Sequence, residues 1–172
     1  MTILITGLIG SGKSAAARRF EARGIPVYDS DSRCKALYDE VPGLKSKLED
    51  MLGLKFSEFA RIFDCPQKKK ALEDTVYPLL KEDFLRWRAS KGGIAAIESA
   101  LAGSDQRFED IYDKVLLVRA PESLRLERNP AAAGRSVFQR EPSRWDWVVE
   151  NDGTLIELNN RIDKIIDENR LK

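Results

Sequence analysis

The sequence Gly7-Leu8-Ile9-Gly10-Ser11-Gly12-Lys13-Ser14 decides the fold of this chain. It follows the apolar run Ile3-Leu4-Ile5 and leads into a helical pattern, Ser14–Arg23. The spacing G-x-x-x-x-G-K-[ST] between a strand and a helix is that of a phosphate-binding loop. Its glycines let the backbone turn tightly and aim N–H groups at a phosphate, and the helix adds the positive end of its dipole. We therefore predict a strand, a phosphate-binding loop and a helix at the start of the chain.

Two side chains of this motif have predicted roles. Lys13 would reach the β- and γ-phosphates of a nucleotide, and the Ser14 hydroxyl would bind Mg²⁺. The residues expected to bind the nucleotide are Leu8, Ile9, Gly10, Ser11, Gly12, Lys13, Ser14 and Ala15. The motif alone does not distinguish kinases from GTPases and ATPases.

Composition narrows the function classes. The chain has 172 residues, which suggests one domain, with room for an inserted subdomain, and its formal net charge is only +1. Near neutrality gives no broad attraction for nucleic acid or a membrane surface, so neither is expected as a partner. No apolar run approaches the roughly 20 residues of a membrane span, and no secretory leader is visible. The absence of histidine excludes His-based catalytic triads.

Cysteine usage points to a reducing compartment. The two cysteines, Cys34 and Cys65, have no metal-ligand spacing, and ordinary reduced thiols are typical of the cytosol. We therefore predict a cytoplasmic protein. We expect a monomer, with weak self-association left open.

Short apolar runs alternate with helical patterns along most of the chain. Strands are predicted at Thr2–Thr6, Ile25–Tyr28, Gly93–Ile97, Lys114–Arg119 and Trp145–Val149. Thr154 and Glu157 form a capping-box pattern at the start of the last predicted helix. This alternation predicts an α/β fold in three layers, with a five-stranded parallel sheet between helices.

The segment from about 32 to 90 departs from that alternation and is helical in pattern almost throughout. Leu44, Leu48 and Leu52 share one predicted helix face, and a second apolar stripe runs from Leu72 to Phe84. We interpret this segment as a helical insert that binds the second substrate. The apolar stripes themselves are expected to pack in a core.

Two carboxylates follow the second predicted strand. Asp29 and Asp31 stand at i and i+2 in the run Gly24–Asp31. At the carboxyl end of a parallel strand beside the phosphate-binding loop, they would face the nucleotide phosphates and an incoming hydroxyl. A carboxylate at that place would accept a proton from an alcohol or hold Mg²⁺. Taken alone, Asp-Ser-Asp is also ordinary turn chemistry.

In combination these motifs resemble the dephospho-coenzyme A kinases. That family begins with G-x-I-G-S-G-K-S and continues with G-x-x-V-[IY]-D-[AS]-D, at the interval found here. The resemblance continues in order through most of the chain. The further matching segments are Ala71–Glu73 with Tyr77–Leu80, Ile97–Leu101, Asp113–Arg128 and Trp145–Thr154.

The resemblance implies a P-loop kinase that transfers the γ-phosphoryl group of ATP to the ribose 3′-hydroxyl of dephospho-CoA, with Mg²⁺ as cofactor. Asp31 matches the position of the general base. Asp29 would assist through Mg²⁺ or by orienting Asp31; the alternative is a strand-end cap. Asp31, Tyr77 and Glu98 are expected to bind the acceptor, although a carboxylate such as Glu98 can also be purely structural.

Two departures from the family pattern affect these expectations. Tyr77 stands where the family usually has histidine, and a phenol stays neutral near pH 7. The lid, about residues 128–144, is shorter than usual. The arginines of this lid that would close over the phosphates are Arg135 and Arg140, with Arg128 and Arg144 as alternatives. The predicted catalytic residues are then Lys13, Asp29, Asp31, Arg135 and Arg140.

Three other functions remain open at this point. Another P-loop small-molecule kinase, of nucleoside or shikimate type, would share the fold and the first motifs. A nucleotide-binding relative with weak activity would fit the shortened lid. A GTP-binding switch is disfavoured, because Asp50–Gly53 spells D-x-x-G after an amphipathic helix instead of a strand, and no N-K-x-D segment occurs.

Overall fold

The structure is a computed structural model that describes residues 1–102, 105–130, 132 and 141–171. The chain forms two compact units. We call Met1–Asp29 with Trp87–Lys172 the sheet unit, and Ser30–Arg86 the helical unit. Each is described by itself.

The sheet unit contains five parallel strands in the order β2-β3-β1-β4-β5. They are β1 (Thr2–Thr6), β2 (Val27–Asp29), β3 (Ala95–Glu98), β4 (Lys114–Arg119) and β5 (Trp147–Glu150). Its helices are α1 (Lys13–Ala22), α5 (Glu122–Arg128), α6 (Leu155–Glu168) and a short 3₁₀ helix, Gln106–Phe108. The central strand β1 is buried along its whole length. The predicted five-stranded parallel α/β fold is confirmed.

The core of the sheet unit lies between its sheet and the helices α1 and α6. Phe20 of α1 and Leu158, Ile162 and Ile166 of α6 are almost completely buried and pack in one cluster with side chains of the strands. The predicted capping box starts α6, where Thr154 Oγ1 accepts from the Glu157 N–H at 3.3 Å. The predicted capping box is therefore confirmed, and the face of α6 that carries Leu158, Ile162 and Ile166 packs in the core.

The ends of three strands differ from the prediction. The predicted strands Ile25–Tyr28, Gly93–Ile97 and Trp145–Val149 begin about two residues too early and end one residue too early. Strand ends are set by pairing with a neighbour, as in the Val27–Ala96 and Leu116–Trp147 pairs, and this information is not local. As a result, Asp29 is the last residue of β2 and not a residue beyond it.

The helical unit contains α2 (Ser30–Glu40), α3 (Leu44–Leu52), a 3₁₀ helix (Phe56–Asp64) and most of α4 (Pro66–Ala89). As predicted, the apolar stripes form its core, which includes Leu44, Leu48, Leu52, Ile62 and Val76. Arg33 ties α2 to α4, donating to Asp83 at 2.9 Å and to Glu40 at 2.7 Å. Even the 24-residue α4 is too polar to cross a membrane, and no other helix in the described part of the chain could do so.

A charged clamp joins α1 to α6 in the sheet unit. Asp163 of α6 accepts from Arg19 Nε at 2.7 Å and from Arg23 Nη1 at 2.9 Å. The hydrogen bond from Arg19, and then that from Arg23, lowers the pKa of the Asp163 carboxyl below its ordinary value. The clamp therefore stabilises the folded state only while Asp163 is ionised.

Replacing Asp163 by asparagine should lower the urea midpoint at pH 7, because both arginines lose a charged acceptor. The contribution of the wild-type carboxylate is fully present above its unfolded pKa of about 3.9 and is lost as the pH falls through the lower folded value. Urea unfolding at several pH values should show the gap between variant and wild type narrowing as the pH falls below the unfolded pKa of about 3.9. Asp167→Asn, which changes a more exposed partner of Arg23, is the matched control and should have a smaller effect. An equal gap at pH 7 and at pH 3 would contradict the role of Asp163.

Candidate active site

The phosphate-binding loop joins β1 to α1 at the carboxyl edge of the sheet. Gly10 and Gly12 have φ angles of +78° and +97°, in the left-handed region that glycine adopts without strain. Neighbouring groups also exclude a side chain at both positions. A Cβ added to Gly10 would lie 2.4 Å from the Arg125 carbonyl oxygen, and one added to Gly12 would lie 2.1 Å from Asn151 Nδ2. The loop is thus packed against α5 and against the residue that follows β5.

The amino end of α1 offers backbone donors to an anion. The Gly12 carbonyl accepts from the N–H groups of Ala15 and Ala16 at 2.9 and 3.0 Å, which begins the helical hydrogen bonding. The N–H groups of Lys13 and Ser14 come before these bonds and have no acceptor within the helix. N–H groups without a helical acceptor, together with the positive end of the helix dipole, are the usual arrangement for binding phosphate.

A single carboxylate oxygen brings three predicted site residues together. Ser14 Oγ donates to Glu98 Oε1 at 3.0 Å, and Lys13 Nζ lies 3.8 Å from the same oxygen. Glu98 is the last residue of β3 and only 7% exposed, and Lys13 is buried as well. A buried carboxylate is stable only with a cation or hydrogen-bond donors beside it, and Lys13 and Ser14 provide both.

The oxygen groups at this place fit Mg²⁺. Because the Ser14 hydroxyl gives its proton to Glu98, the lone pairs of its oxygen stay available to a cation. Asp29 is the register partner of Glu98 on the neighbouring strand, so it adds a second carboxylate at the carboxyl edge. Mg²⁺ takes oxygen ligands and commonly uses one or two carboxylates together with water and substrate phosphates. Ser14, Glu98 and Asp29 are therefore the residues suited to hold it.

The other two predicted acceptor residues belong to the helical unit. Asp31 lies in the first turn of α2 with an exposed side chain, and it is separated from Asp29 by the buried Ser30. Tyr77 is a buried residue of α4 whose hydroxyl donates to Glu73 Oε1 at 3.2 Å. Lys69 Nζ pairs with the same Glu73 oxygen at 2.7 Å, so the phenol that replaces the usual histidine takes part in a charged network.

The predicted lid lies largely outside the described residues. Arg135 and Arg140 are both outside them, so their catalytic role stays a prediction. Of the two alternatives, Arg128 ends α5 and donates from Nη1 to the Asn151 carbonyl at 3.0 Å. Arg144 has an exposed side chain.

Two residues that contact the phosphate-binding loop, Arg125 and Asn151, were not predicted from the sequence. Arg125 is buried, and its Nη1 lies 3.5 Å from the Ile9 carbonyl oxygen of the loop. Asn151 is buried and donates from Nδ2 to the Ser11 carbonyl at 2.8 Å. Both residues lie in segments that resemble the family, Arg125 in Asp113–Arg128 and Asn151 in Trp145–Thr154, and this was the available signal. Only the tertiary contacts indicate what these side chains do.

These features define a class of protein. A parallel α/β sheet, a loop of this geometry after the central strand, and a lysine and serine beside a buried carboxylate are the elements of a P-loop kinase. Solved structures agree on the fold. A protein from Thermus thermophilus, TT1252, is 26% identical with a TM-score of 0.81 over 98% of this chain and 97% of its own. A dephospho-CoA kinase from Campylobacter jejuni, 17% identical, has a TM-score of 0.57 over 97% and 96%.

Sequence comparison identifies the family within this class. The model of the dephospho-CoA kinase family matches residues 1–157, and the chain belongs to that family. A dephospho-CoA kinase from Porphyromonas gingivalis is 39% identical over 146 residues, which are 79% of this chain and 72% of the relative. The resemblance noted in the sequence is thereby confirmed.

Proposed function

We propose that the protein transfers the γ-phosphoryl group of ATP to the ribose 3′-hydroxyl of dephospho-CoA, giving CoA and ADP, the last step of coenzyme A synthesis. Family membership supports the acceptor. One observation carries the phosphoryl transfer: Lys13 and Ser14, at the start of α1, converge on one oxygen of the buried Glu98. A cation and a hydroxyl held beside a phosphate-binding loop are the groups that a nucleotide triphosphate requires.

Binding of ATP uses the donors described above. The loop residues from Leu8 to Ala15 enclose the phosphates through N–H groups, and Lys13 bonds to the β- and γ-phosphates. Ser14, with Glu98 and Asp29, would hold Mg²⁺, which when bound offsets the charge of the phosphate oxygens. Lys13 then exchanges its interaction with Glu98 for one with the phosphates. Glu98 keeps the Ser14 hydroxyl as a donor.

Transfer requires a group that accepts a proton. The 3′-hydroxyl gives its proton to the Asp31 carboxylate while its oxygen forms a bond to the γ-phosphorus. The bond from that phosphorus to the β,γ-bridging oxygen breaks, and ADP leaves. Asp29 assists either by orienting Asp31 or through the metal. Arg135 and Arg140 would screen the charge that develops during transfer.

The proposal also covers acceptor binding, domain organisation and location in the cell. Asp31, Tyr77 and Glu98 bind the acceptor. The chain acts as one kinase domain with a helical insert of about 32–90 and a lid of about 128–144. We also propose a cytoplasmic monomer; the two cysteines, Cys34 and Cys65, are free thiols, as is usual in a reducing compartment.

ADP formation with and without dephospho-CoA tests the function. The expected result is rapid ADP release that depends on dephospho-CoA, with at most slow release when shikimate or a nucleoside replaces it. Separate titrations of ATP and dephospho-CoA identify a protein that binds both without turnover. ADP release that is unaffected by dephospho-CoA, or faster with another alcohol, would contradict the proposed acceptor.

A further inference from the structure

Asn151 forms three hydrogen bonds beside the phosphate-binding loop, one through its side chain and two through its backbone. It directly follows β5 and is only 7% exposed. Its Nδ2 donates to the Ser11 carbonyl at 2.8 Å, and its own N–H donates to the Arg119 carbonyl at 2.6 Å. Its carbonyl accepts from Arg128 Nη1 at 3.0 Å. The backbone of Asn151 is therefore held by Arg119 at the end of β4 and by Arg128 at the end of α5, and the side-chain amide reaches the loop from that fixed position.

The Asn151 amide determines which way one peptide group of the loop faces. The Ser11–Gly12 peptide is trans, so its carbonyl and its N–H point in opposite directions. Because Asn151 holds the carbonyl, the Gly12 N–H points away from Asn151. Among the described residues this N–H has no acceptor. A backbone donor without a partner, in a phosphate-binding loop, is available to a phosphate oxygen.

The loop itself does little to prevent this peptide from turning over. A peptide flip rotates ψ of Ser11 and φ of Gly12, and glycine lacks the Cβ that would restrict the rotation. The Ser11 N–H donates to the Leu8 carbonyl at 3.0 Å, which holds the preceding peptide. The Ser11 hydroxyl is buried without a hydrogen-bond partner in the described structure, so it does not hold the Ser11–Gly12 peptide. The hydrogen bond from Asn151 is thus the main polar restraint on this peptide.

Gly12 and Asn151 also depend on each other sterically. A Cβ at Gly12 would lie 2.1 Å from Asn151 Nδ2, much closer than any real contact. The amide occupies the space that a side chain at position 12 would need. The glycine therefore allows the positive φ and, in addition, admits the group that orients the peptide.

We propose that Asn151 is a positioning residue for ATP: by holding the Ser11 carbonyl, it keeps the Gly12 N–H directed at a nucleotide phosphate. This inference rests on the proposed function only in taking the ligand to be a nucleotide, and it does not depend on the acceptor. Asn151 itself touches no reacting atom in this proposal. Replacing Asn151 would weaken ATP binding indirectly, by releasing the Ser11–Gly12 peptide of the loop.

The test replaces Asn151 by leucine, which has nearly the same shape, adds no charge and has no donor. Isothermal titration with ADP should show affinity at least about tenfold weaker, equivalent to ~1.4 kcal/mol. In steady-state assays the KM for ATP should rise while the KM for dephospho-CoA stays within about twofold. In ¹H–¹⁵N spectra of the wild type, ADP should shift the Gly12 amide proton strongly downfield, and this shift should be lost in the variant.

The control is Asn169→Leu at the end of α6. Asn169 Nδ2 also donates to a backbone carbonyl, that of Ile165 at 2.8 Å, but on an exposed helix end. It should leave ADP binding unchanged. If Asn151→Leu does not fold, Asn151→Ala gives the same readouts with less bulk. ADP affinity within twofold of wild type in a folded variant, or an unchanged Gly12 shift, would overturn the proposal. Because ADP is the probe, that result stays distinct from a failure of dephospho-CoA as acceptor.

Discussion

Replacing Asp31 by asparagine should lower kcat by at least about 100-fold, since general-base catalysis typically contributes 10²–10⁴-fold. Asparagine has nearly the same size and still forms hydrogen bonds, but it cannot accept the proton of the 3′-hydroxyl. The phosphate-binding loop is untouched, so the affinity for ATP should stay within about threefold. Because Asp31 is exposed in the first turn of α2, its replacement should leave the free energy of unfolding nearly unchanged. Initial-rate kinetics and ATP titration measure the two effects.

Asp39→Asn is the matched control for this experiment. It makes the same change on the same helix, at an exposed side chain that pairs with Lys45, and it should leave kcat unchanged. Asp29→Asn separates the roles of the two carboxylates, because an assisting group should matter less than the base. If the Asp31 variant keeps its kcat within about tenfold, or ~1.4 kcal/mol of barrier, Asp31 is not the base.

Replacing Lys13 by alanine should damage both binding and rate. Removing one preorganised donor to developing charge lowers kcat by about 10²–10³-fold, and Lys13 is proposed to contact the γ-phosphate that is transferred. Affinity for ATP should also fall by about tenfold or more, because the charge acts on the bound nucleotide as well. The measurements are kcat with saturating dephospho-CoA and the Kd of ATP.

The same substitution has a structural consequence that must be separated from catalysis. Lys13 lies 3.8 Å from the buried Glu98, so its removal leaves that carboxylate with less compensation and should lower the melting temperature. Kinetics are therefore compared well below the melting temperature of the variant. Lys164→Ala changes an exposed lysine of α6 and should affect neither stability nor rate appreciably. A Lys13 variant that is less stable but equally active would refute the role of Lys13 in transfer.

Local sequence was enough for much of the fold. The loop from Gly7 to Ser14 and the strand Lys114–Arg119 were predicted at the observed positions. Both patterns lie within a few consecutive residues. In the loop, glycines allow the tight turn, and in the strand, a continuous apolar run is typical of a strand covered on both faces. The capping box of Thr154 and Glu157 was predictable for the same reason.

The candidate site was only partly predictable. Sequence indicated Lys13, Ser14 and Glu98 separately, and their types allowed roles in phosphate and metal binding to be assigned. That Ser14 and Lys13 converge on one oxygen of Glu98 follows from the pairing of β3 with β1, which brings together residues 84 positions apart. The burial of Tyr77 and its bond to Glu73 likewise depended on how α4 packs.

By itself, then, the sequence determined the phosphate-binding loop, the order of strands and helices along the chain, and the chemical types available at the carboxyl edge. The tertiary structure alone decided the contacts of Arg125 and Asn151, which reach the loop across 116 and 140 residues. The physical reason is that the conformation of a loop depends on the backbone preferences of its own residues. Which distant side chain contacts that loop depends instead on strand order and helix packing. Those depend on burial across the whole sheet and leave no local pattern.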